Sequence, residues 1–423
     1  MSAEQLASDA RVCVLGLGHV GLPTALLAAQ SHDVVGVDID ADHVAALNDG
    51  DVPVSEPGID DLYAAVTDRF SAHTSVVDAD IYVIVTPTPV HTESRIADLS
   101  YIRAAAEMVV PTLAAGDLVI LESTVPPGTT ERLIAPILED SGLSIGEFHL
   151  SYCPERASPG DTLTEITQNN RVVGGTDEAS ITHAVAFYDS FVDGAIRTTT
   201  PRTAEFVKLV ENTFRDVNIA LANEFALIAE EFSLDGHEAT ALANEHPRVN
   251  VHRAGPGVGG HCIPVDPQFL SQHATHDRLI SLAREVNSSM AGHVVRLIRS
   301  VLSDDTRATV TLFGAAYKAD VGDTRRTPAK RLVELLTGLG YEIRVYDPFV
   351  TEFVVEPEPL DSAVADSDCI VILTDHSEFA TLDPSSVSAQ MATKTVVDTR
   401  ALIDQAQWEQ AGFRVSVLGD GTT

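Results

Sequence analysis

The sequence predicts an α/β protein in which two doubly wound, parallel-sheet domains are joined by a central helical domain. Three observations carry this. Short apolar runs alternate with helical patterns over the first 150 residues, a long stretch at 3–4 spacing fills about 200 to 245, and a second alternation begins near 308.

RVCVLGLG (11–18) reads as a buried strand entering a glycine turn, LPTALLAAQ (22–30) as a helix and DVVGVDID (33–40) as the next strand; DIYVIVTP (80–87), DLVILEST (117–124) and FHLSYCP (148–154) continue the series. TAEFVKLVENTFRDVNIALANEFALIAEEF contains no glycine or proline and reads as one or two long helices, with LISLAREVNSSMAGHVVRLIRSVL (279–302) as a further one. The second alternation is ATVTLFG (308–314), a helix starting after Pro328, YEIRVYDP (341–348) and DCIVILTDH (368–376). Each half has a strand ending in glycine, a strand ending in aspartate (Asp38, Asp347) and a strand ending in threonine (Thr86, Thr374), a weak internal repeat. The expected boundaries are 1–198, 199–303 and 304–423.

Bulk properties narrow the class. With 44% hydrophobic and 21% charged residues in 423, the chain has enough apolar surface for large cores and more than one domain. No apolar run is long enough to span a bilayer, and the acidic, polar stretch Met1 to Ala10 lacks the pattern of a signal peptide, so a cytoplasmic protein is expected. The formal net charge of −35 comes from dispersed acids, which predicts a hydrated acidic exterior suited to a salt-rich, halophilic cytoplasm. Such a surface argues against nucleic acid and anionic membranes as partners. Cys13, Cys153, Cys262 and Cys369 are far apart, which fits reduced thiols and no metal site; Cys13 and Cys369 lie inside apolar runs and read as core.

Gly16-Leu17-Gly18-His19-Val20-Gly21 is a GxGxxG between a strand and a helix. Its glycines allow a tight turn, close approach of backbone to a pyrophosphate and close helix packing. Val20 stands just before the helix, and His19 reads as a bystander. Asp38 ends the following strand, where a carboxylate accepts bonds from a ribose 2′-OH and repels a 2′-phosphate; NAD is therefore the expected cofactor, in a Rossmann-like domain. Thr86 and Thr124, at later strand ends, are expected beside it.

The loop GPGVGGHCIPVDP (255–267) brings glycine backbone against a ligand and ends in Cys262, flanked by prolines, with Asp266 four residues on. A nucleophilic cysteine in an NAD enzyme can capture an aldehyde as a thiohemiacetal that then loses hydride; the alternative is a buried structural cysteine. Here the residues resemble the UDP-glucose/GDP-mannose dehydrogenase superfamily. STVPPGTT (123–130), SYCPERASPG (151–160), EFVKLVENTFRDVNIALANE (205–224), HPRVN (246–250), AYKADVGDTRRTP (316–328), VYDP (345–348) and VDTR (397–400) follow in family order across almost the whole chain.

The resemblance implies roles position by position. Cys262 falls on the nucleophile and Asp266 on its partner carboxylate. Lys208 and Asn212, four apart on one helical face, fall on the pair that supports oxyanions. Glu155 and Thr124 fall on residues that hold the hydrolytic water. Arg156, Gly259, His261, Lys318, Arg325 and Arg400 resemble substrate contacts, and Arg248 an arginine lent to a neighbouring subunit, implying at least a homodimer through the central helices. Lys208 is one of only four lysines in a chain that otherwise uses arginine, as expected where a compact ammonium is needed. Glu155 has a plainer alternative, solvation or pairing with adjacent Arg156, and His261 is equally a loop-packing residue. His261 before the cysteine and Val265-Asp266-Pro267 after it resemble the UDP-N-acetylhexosamine branch, most of all the enzymes acting on UDP-N-acetylmannosamine; UDP-N-acetylglucosamine and UDP-glucose are the alternative substrates. Two rivals remain, a two-electron β-hydroxyacid dehydrogenase and a non-catalytic nucleotide-sugar sensor.

Overall fold

The structure, a computed structural model, describes residues 10–91, 96–272, 274–302 and 307–421. The acidic N-terminal stretch up to residue 9 and the expected boundary at 303/304 lie outside the described residues. The chain forms two compact units, one of Met1–Glu211 with Gln268–His273, the other of Asn212–Pro267 with Ala274–Thr423.

The first unit is built on eight strands: β1 (Arg11–Leu15), β2 (Asp33–Val37), β3 (Phe70–His73), β4 (Ile81–Ile84), β5 (Leu118–Leu121), β6 (His149–Tyr152), β7 (Arg171–Gly175) and β8 (Ile196–Thr199). Their order is β3-β2-β1-β4-β5-β6-β7-β8. The first six neighbours are parallel, with Val12 opposite both Val34 and Ile81. β7 then reverses against β6, and β8 runs with β7. Helices cover both faces, so the strands are apolar throughout: Val12 and Val14 enter one core while Cys13 and Leu15 enter the other. Each of the strands β1, β2, β4, β5 and β6 stops before the end of its apolar run. The last residues of the runs leave the ladder at the carboxyl edge and form loops there, where ligands bind in open parallel sheets.

The second unit holds a parallel sheet of β9 (Thr309–Phe313), β10 (Glu342–Tyr346), β11 (Cys369–Ile372), β12 (Thr395–Asp398) and β13 (Arg414–Val417), in the order β10-β9-β11-β12-β13. The same two-sided pattern recurs, Cys369 and Val371 facing one core and Ile370 and Ile372 the other. The helix Pro328–Leu339 starts where proline costs nothing, is capped by the Thr327 side chain on the Ala329 N–H, and ends at left-handed Gly340.

The long central run is one helix, Pro201–Glu231, of 31 residues. Thr200 accepts the Thr203 N–H ahead of it, and nothing inside the run breaks it. Along this helix Phe206, Val210, Phe214, Leu221, Phe225 and Ile228 are all exposed, at spacings of three, four or seven, and Phe232 just past its end is exposed too. Among the described residues, no helix is long and apolar enough to cross a membrane.

Candidate active site

The glycine turn after β1 has the shape its motif requires. Gly16 has φ +100, and a Cβ there would lie 2.5 Å from the Val85 carbonyl oxygen. A Cβ on Gly21 would lie 1.8 Å from the Gly16 oxygen, so that glycine lets the helix Gly21–Ala28 close onto the strand. Gly18 alone has nothing within 4 Å, leaving its backbone open to a ligand. Val20 is the N-cap, and no side chain caps the helix; the Leu22 N–H is taken by the Gly18 carbonyl and Pro23 has none, which leaves the Gly21 N–H at the helix start for an anion. These three different glycine roles fit a dinucleotide.

Asp38 is half-buried beside the turn, Oδ2 accepting the Leu17 N–H at 2.9 Å and Oδ1 the Asp40 N–H at 3.0 Å. A carboxylate has about four acceptor positions, so lone pairs remain for ribose hydroxyls. Asp38→Asn keeps an acceptor for Leu17 while removing the charge. The preference for NAD over NADP, read as the ratio of kcat/KM values, is expected to fall about 10- to 100-fold, about 1.5–3 kcal/mol. An unchanged ratio removes Asp38 from the ribose.

The loops after β4 and β5 complete this edge. Thr88 donates to the Thr124 carbonyl at 2.8 Å, and Ser123 donates to the Thr86 carbonyl at 2.7 Å. The Thr86 hydroxyl is enclosed and has no partner in the structure, a polar atom facing the cofactor edge with bonding capacity to spare. The STVPPGTT loop is pinned by Glu205, whose carboxylate accepts the N–H groups of Gly128 and Thr130 and the Thr130 hydroxyl. Burial pushes that carboxyl up, and the three bonds counter it. Sequence reasoning missed Glu205, although its position one turn before Lys208 was a usable signal.

Lys208 is the one buried lysine of the four, and its Nζ donates to the Glu155 main-chain carbonyl at 2.6 Å. The Glu155 carboxylate is buried too. One oxygen accepts the N–H groups of Arg156 and Ala157, and the other accepts Arg171 Nη2 at 3.0 Å. The pairing of Glu155 with the Arg156 side chain is therefore corrected: the Arg156 guanidinium grips Glu211, with Nε at 3.0 Å, and the Asn170 carbonyl. The first unit thus gathers Thr86, Thr124, Glu155 and Lys208 at the carboxyl edge of its sheet.

In the second unit, Cys262 is the only one of the four cysteines that is not buried. Burial pushes the Cys13 and Cys153 thiols up to about 11 and the Cys369 thiol higher still, so these three stay protonated. The Cys262 carbonyl accepts the N–H groups of Val265 and Asp266 at 2.9 and 2.8 Å, a tight turn that fixes the residue. Asp266 is buried and accepts Asn212 Nδ2 at 2.6 Å, joining the loop to the long helix. The loop's glycines are packing requirements: a Cβ on Gly259 would meet Tyr317 Cβ at 2.5 Å, and one on Gly260 (φ +87) the Tyr317 ring at 2.9 Å. Gly260 also donates to the Arg325 carbonyl at 2.9 Å.

Arg325 itself forks onto Asp323, with Nε at 2.9 and 3.0 Å from the two oxygens. Arg400 lies over Gly255 and donates to Asp375 at 3.1 Å. Lys318 is half-buried in the turn between Tyr317 and Asp323, and His261 is exposed. Arg248 is exposed and approaches only the His246 ring, at 3.4 Å, among the contacts the structure gives it. Tyr317 was not singled out from sequence; burial, then Asp323, pushes its phenol up to about 12. No group of three or more His, Cys, Asp or Glu among the described residues could hold a metal ion.

The UDP-glucose/GDP-mannose dehydrogenase family matches in three parts: its NAD binding domain at residues 10–192, its central domain at 202–289 and its UDP binding domain at 311–405. The UDP-N-acetyl-D-mannosamine dehydrogenase of Methanocaldococcus jannaschii is 42% identical over 419 residues, 97% of each chain. A solved structure of the UDP-D-ManNAc dehydrogenase of Pyrococcus horikoshii superimposes with a TM-score of 0.92 at 39% identity, covering 98% of this chain and 100% of that one. An NDP-N-acetyl-D-galactosaminuronic acid dehydrogenase of Ralstonia solanacearum is 38% identical over 92% of this chain and 96% of its own. The chain belongs to the UDP-glucose/GDP-mannose dehydrogenase family and is an NAD-dependent UDP-sugar dehydrogenase.

Proposed function

We propose that this enzyme oxidises the C6 alcohol of a UDP-N-acetylhexosamine, UDP-N-acetyl-D-mannosamine first among them, to the uronic acid through a thioester on Cys262. The observation that carries the reading is the setting of that residue: the one cysteine of four that is not buried, at the end of a glycine loop whose Asp266 is tied to the long helix by Asn212. NAD, when bound, accepts hydride in each of two oxidations. The chain's own groups do the rest. Asp266 and Lys208 handle the proton of the C6 hydroxyl, Cys262 adds to the aldehyde carbon, and Lys208 with Asn212 supports the oxyanion. Glu155 and Thr124 hold the water that releases the acid. Arg156, Gly259, His261, Lys318, Arg325 and Arg400 contact the UDP-sugar.

The apolar stripe of the long helix supports a homodimer, since six large apolar side chains on one exposed helix face are covered at little cost only by another apolar face. Arg248 then reaches the neighbouring site. A relative named for galactosaminuronic acid, at 38% identity, keeps the C2 and C4 epimers as the competing substrates. The acidic exterior suits a salt-rich cytoplasm, where the acid product serves polysaccharide assembly.

The test is an NADH count per sugar with UDP-glucose, UDP-GlcNAc, UDP-ManNAc and UDP-GalNAc, in concentrated KCl and again in dilute buffer. Two NADH per sugar, fastest turnover with UDP-ManNAc, and decay in dilute buffer are expected. One NADH per sugar, or an aldehyde product, ends the thioester reading, and full activity in dilute buffer ends the salt requirement.

A further inference from the structure

Behind Glu155 sits a buried ion cluster that no step so far uses. Arg171 is 3% exposed and opens β7, the strand at which the sheet reverses direction against β6. β6 and β7 pair Tyr152 with Gly174, and the same antiparallel register carried onward sets Arg171 opposite Glu155. A parallel strand would place its first residue at the amino edge; the reversal delivers this guanidinium to the carboxyl edge, where the site loops are.

Its contacts are specific. Nη2 donates to Glu155 at 3.0 Å, Nη1 lies 3.7 Å from Glu122, and the guanidinium carbon stands 4.7 Å above the Tyr188 ring. The Tyr188 hydroxyl donates to Glu122 at 2.6 Å, and Cys153 Sγ is 3.6 Å from Nη1. Two carboxylates thus share one cation in an enclosure where an unpaired charge is costly. Burial raises the Glu122 carboxyl while Arg171 opposes the rise, and the guanidinium stands closer to Glu155, at 3.0 Å against 3.7 Å. The Glu155 carboxylate thus has one oxygen locked by two main-chain N–H groups and the other by a guanidinium.

We propose that Arg171 is a positioning residue for the hydrolytic step: its guanidinium holds the Glu155 carboxylate aimed so that this carboxylate takes the proton of the water that cleaves the Cys262 thioester. In that step the water oxygen bonds to the thioester carbonyl carbon as its proton passes to Glu155. The tetrahedral adduct then collapses, the carbon–sulfur bond breaks, and the departing Cys262 sulfur takes the proton back. Thioester and water become carboxylic acid and thiol, with no change in oxidation state. The proposal rests on the thioester reading above, and the experiment separates the two.

The measurement is single-turnover NADH release together with the intact mass of the enzyme, in concentrated KCl with UDP-ManNAc. Glu155→Gln is the reference and is expected to trap an acyl adduct on Cys262 after both hydride transfers. The double variant Glu122→Gln/Arg171→Gln removes the cation together with the second carboxylate it serves, leaving Glu155 as the one acid of the cluster, without the guanidinium that aims it. It is expected to release both NADH at the wild-type rate, trap the same adduct and lose ~10²-fold in steady-state turnover. Arg171→Lys keeps the charge without the planar fork and is expected to slow acid release about tenfold, a partial rescue. Wild-type acid release by the folded double variant overturns the proposal; if that variant does not fold, unchanged acid release by Arg171→Lys overturns it instead. If Glu155→Gln traps no adduct, the thioester reading itself fails.

Discussion

Cys262→Ala is expected to form no acid, with a loss of at least ~10³-fold in NADH production, while NAD binds as in the wild type. The size of the effect follows from what the sulfur does. Oxidation of an aldehyde by hydride loss first needs a nucleophile on the carbonyl carbon, and without the thiol only water is left to supply one. The other three thiols cannot substitute, being buried and held protonated in the two sheets. The NAD turn belongs to β1 in the other compact unit, so the substitution leaves it untouched. Mass spectrometry of the products and NAD titration by fluorescence decide the matter. Wild-type acid formation removes Cys262 from its role, and a parallel loss of NAD affinity turns the effect into one on folding.

The second large effect is expected at Lys208. Lys208→Met should lower kcat by about 10²–10³-fold, about 3–4 kcal/mol, because a buried ammonium beside a developing oxyanion acts in a poorly solvated site. Lys208→Arg should restore little. The ammonium is held by a single bond to the Glu155 carbonyl, a geometry for a point charge and not for a planar fork. The unfolding midpoint separates chemistry from stability: the rate is expected to collapse while the midpoint shifts by a few degrees. A kcat within threefold of wild type makes Lys208 a structural lysine only.

Much of this was legible beforehand because it is local. The strand–glycine–helix start, the apolar runs buried on both faces, the unbroken helix and the loop ending in Cys262 are all written in short stretches of sequence. The ambiguity over one or two central helices is settled by the absence of any breaker between Arg202 and Ser233. β7 and β8 were not foreseen. RVVGG is short and ends in two glycines, which reads as a turn, although a Cβ on either would collide with neighbouring backbone. Arg171 stayed invisible for the same reason, since its bond to Glu155 depends on a strand reversal and not on any spacing. Tyr317 was hidden differently: it reads as one apolar residue after a strand, and only packing shows it to be the surface on which Gly259 and Gly260 rest.

The repeated aspartate at the end of the second strand of each sheet separates two duties that began alike. In both sheets the carboxylate reaches back to the main chain just past the glycine, Leu17 in one case and Ala315 with Ala316 in the other. Asp347, however, also holds Phe349, Val350 and the imidazole of His376, which itself receives the Asp320 N–H. Five donors saturate it and bury it, so it has nothing to offer a sugar hydroxyl. The corresponding position is a bolt in the second fold, while in the first Asp38 keeps lone pairs beyond its two main-chain bonds. A nucleotide seated on the second sheet must therefore be told apart by other side chains.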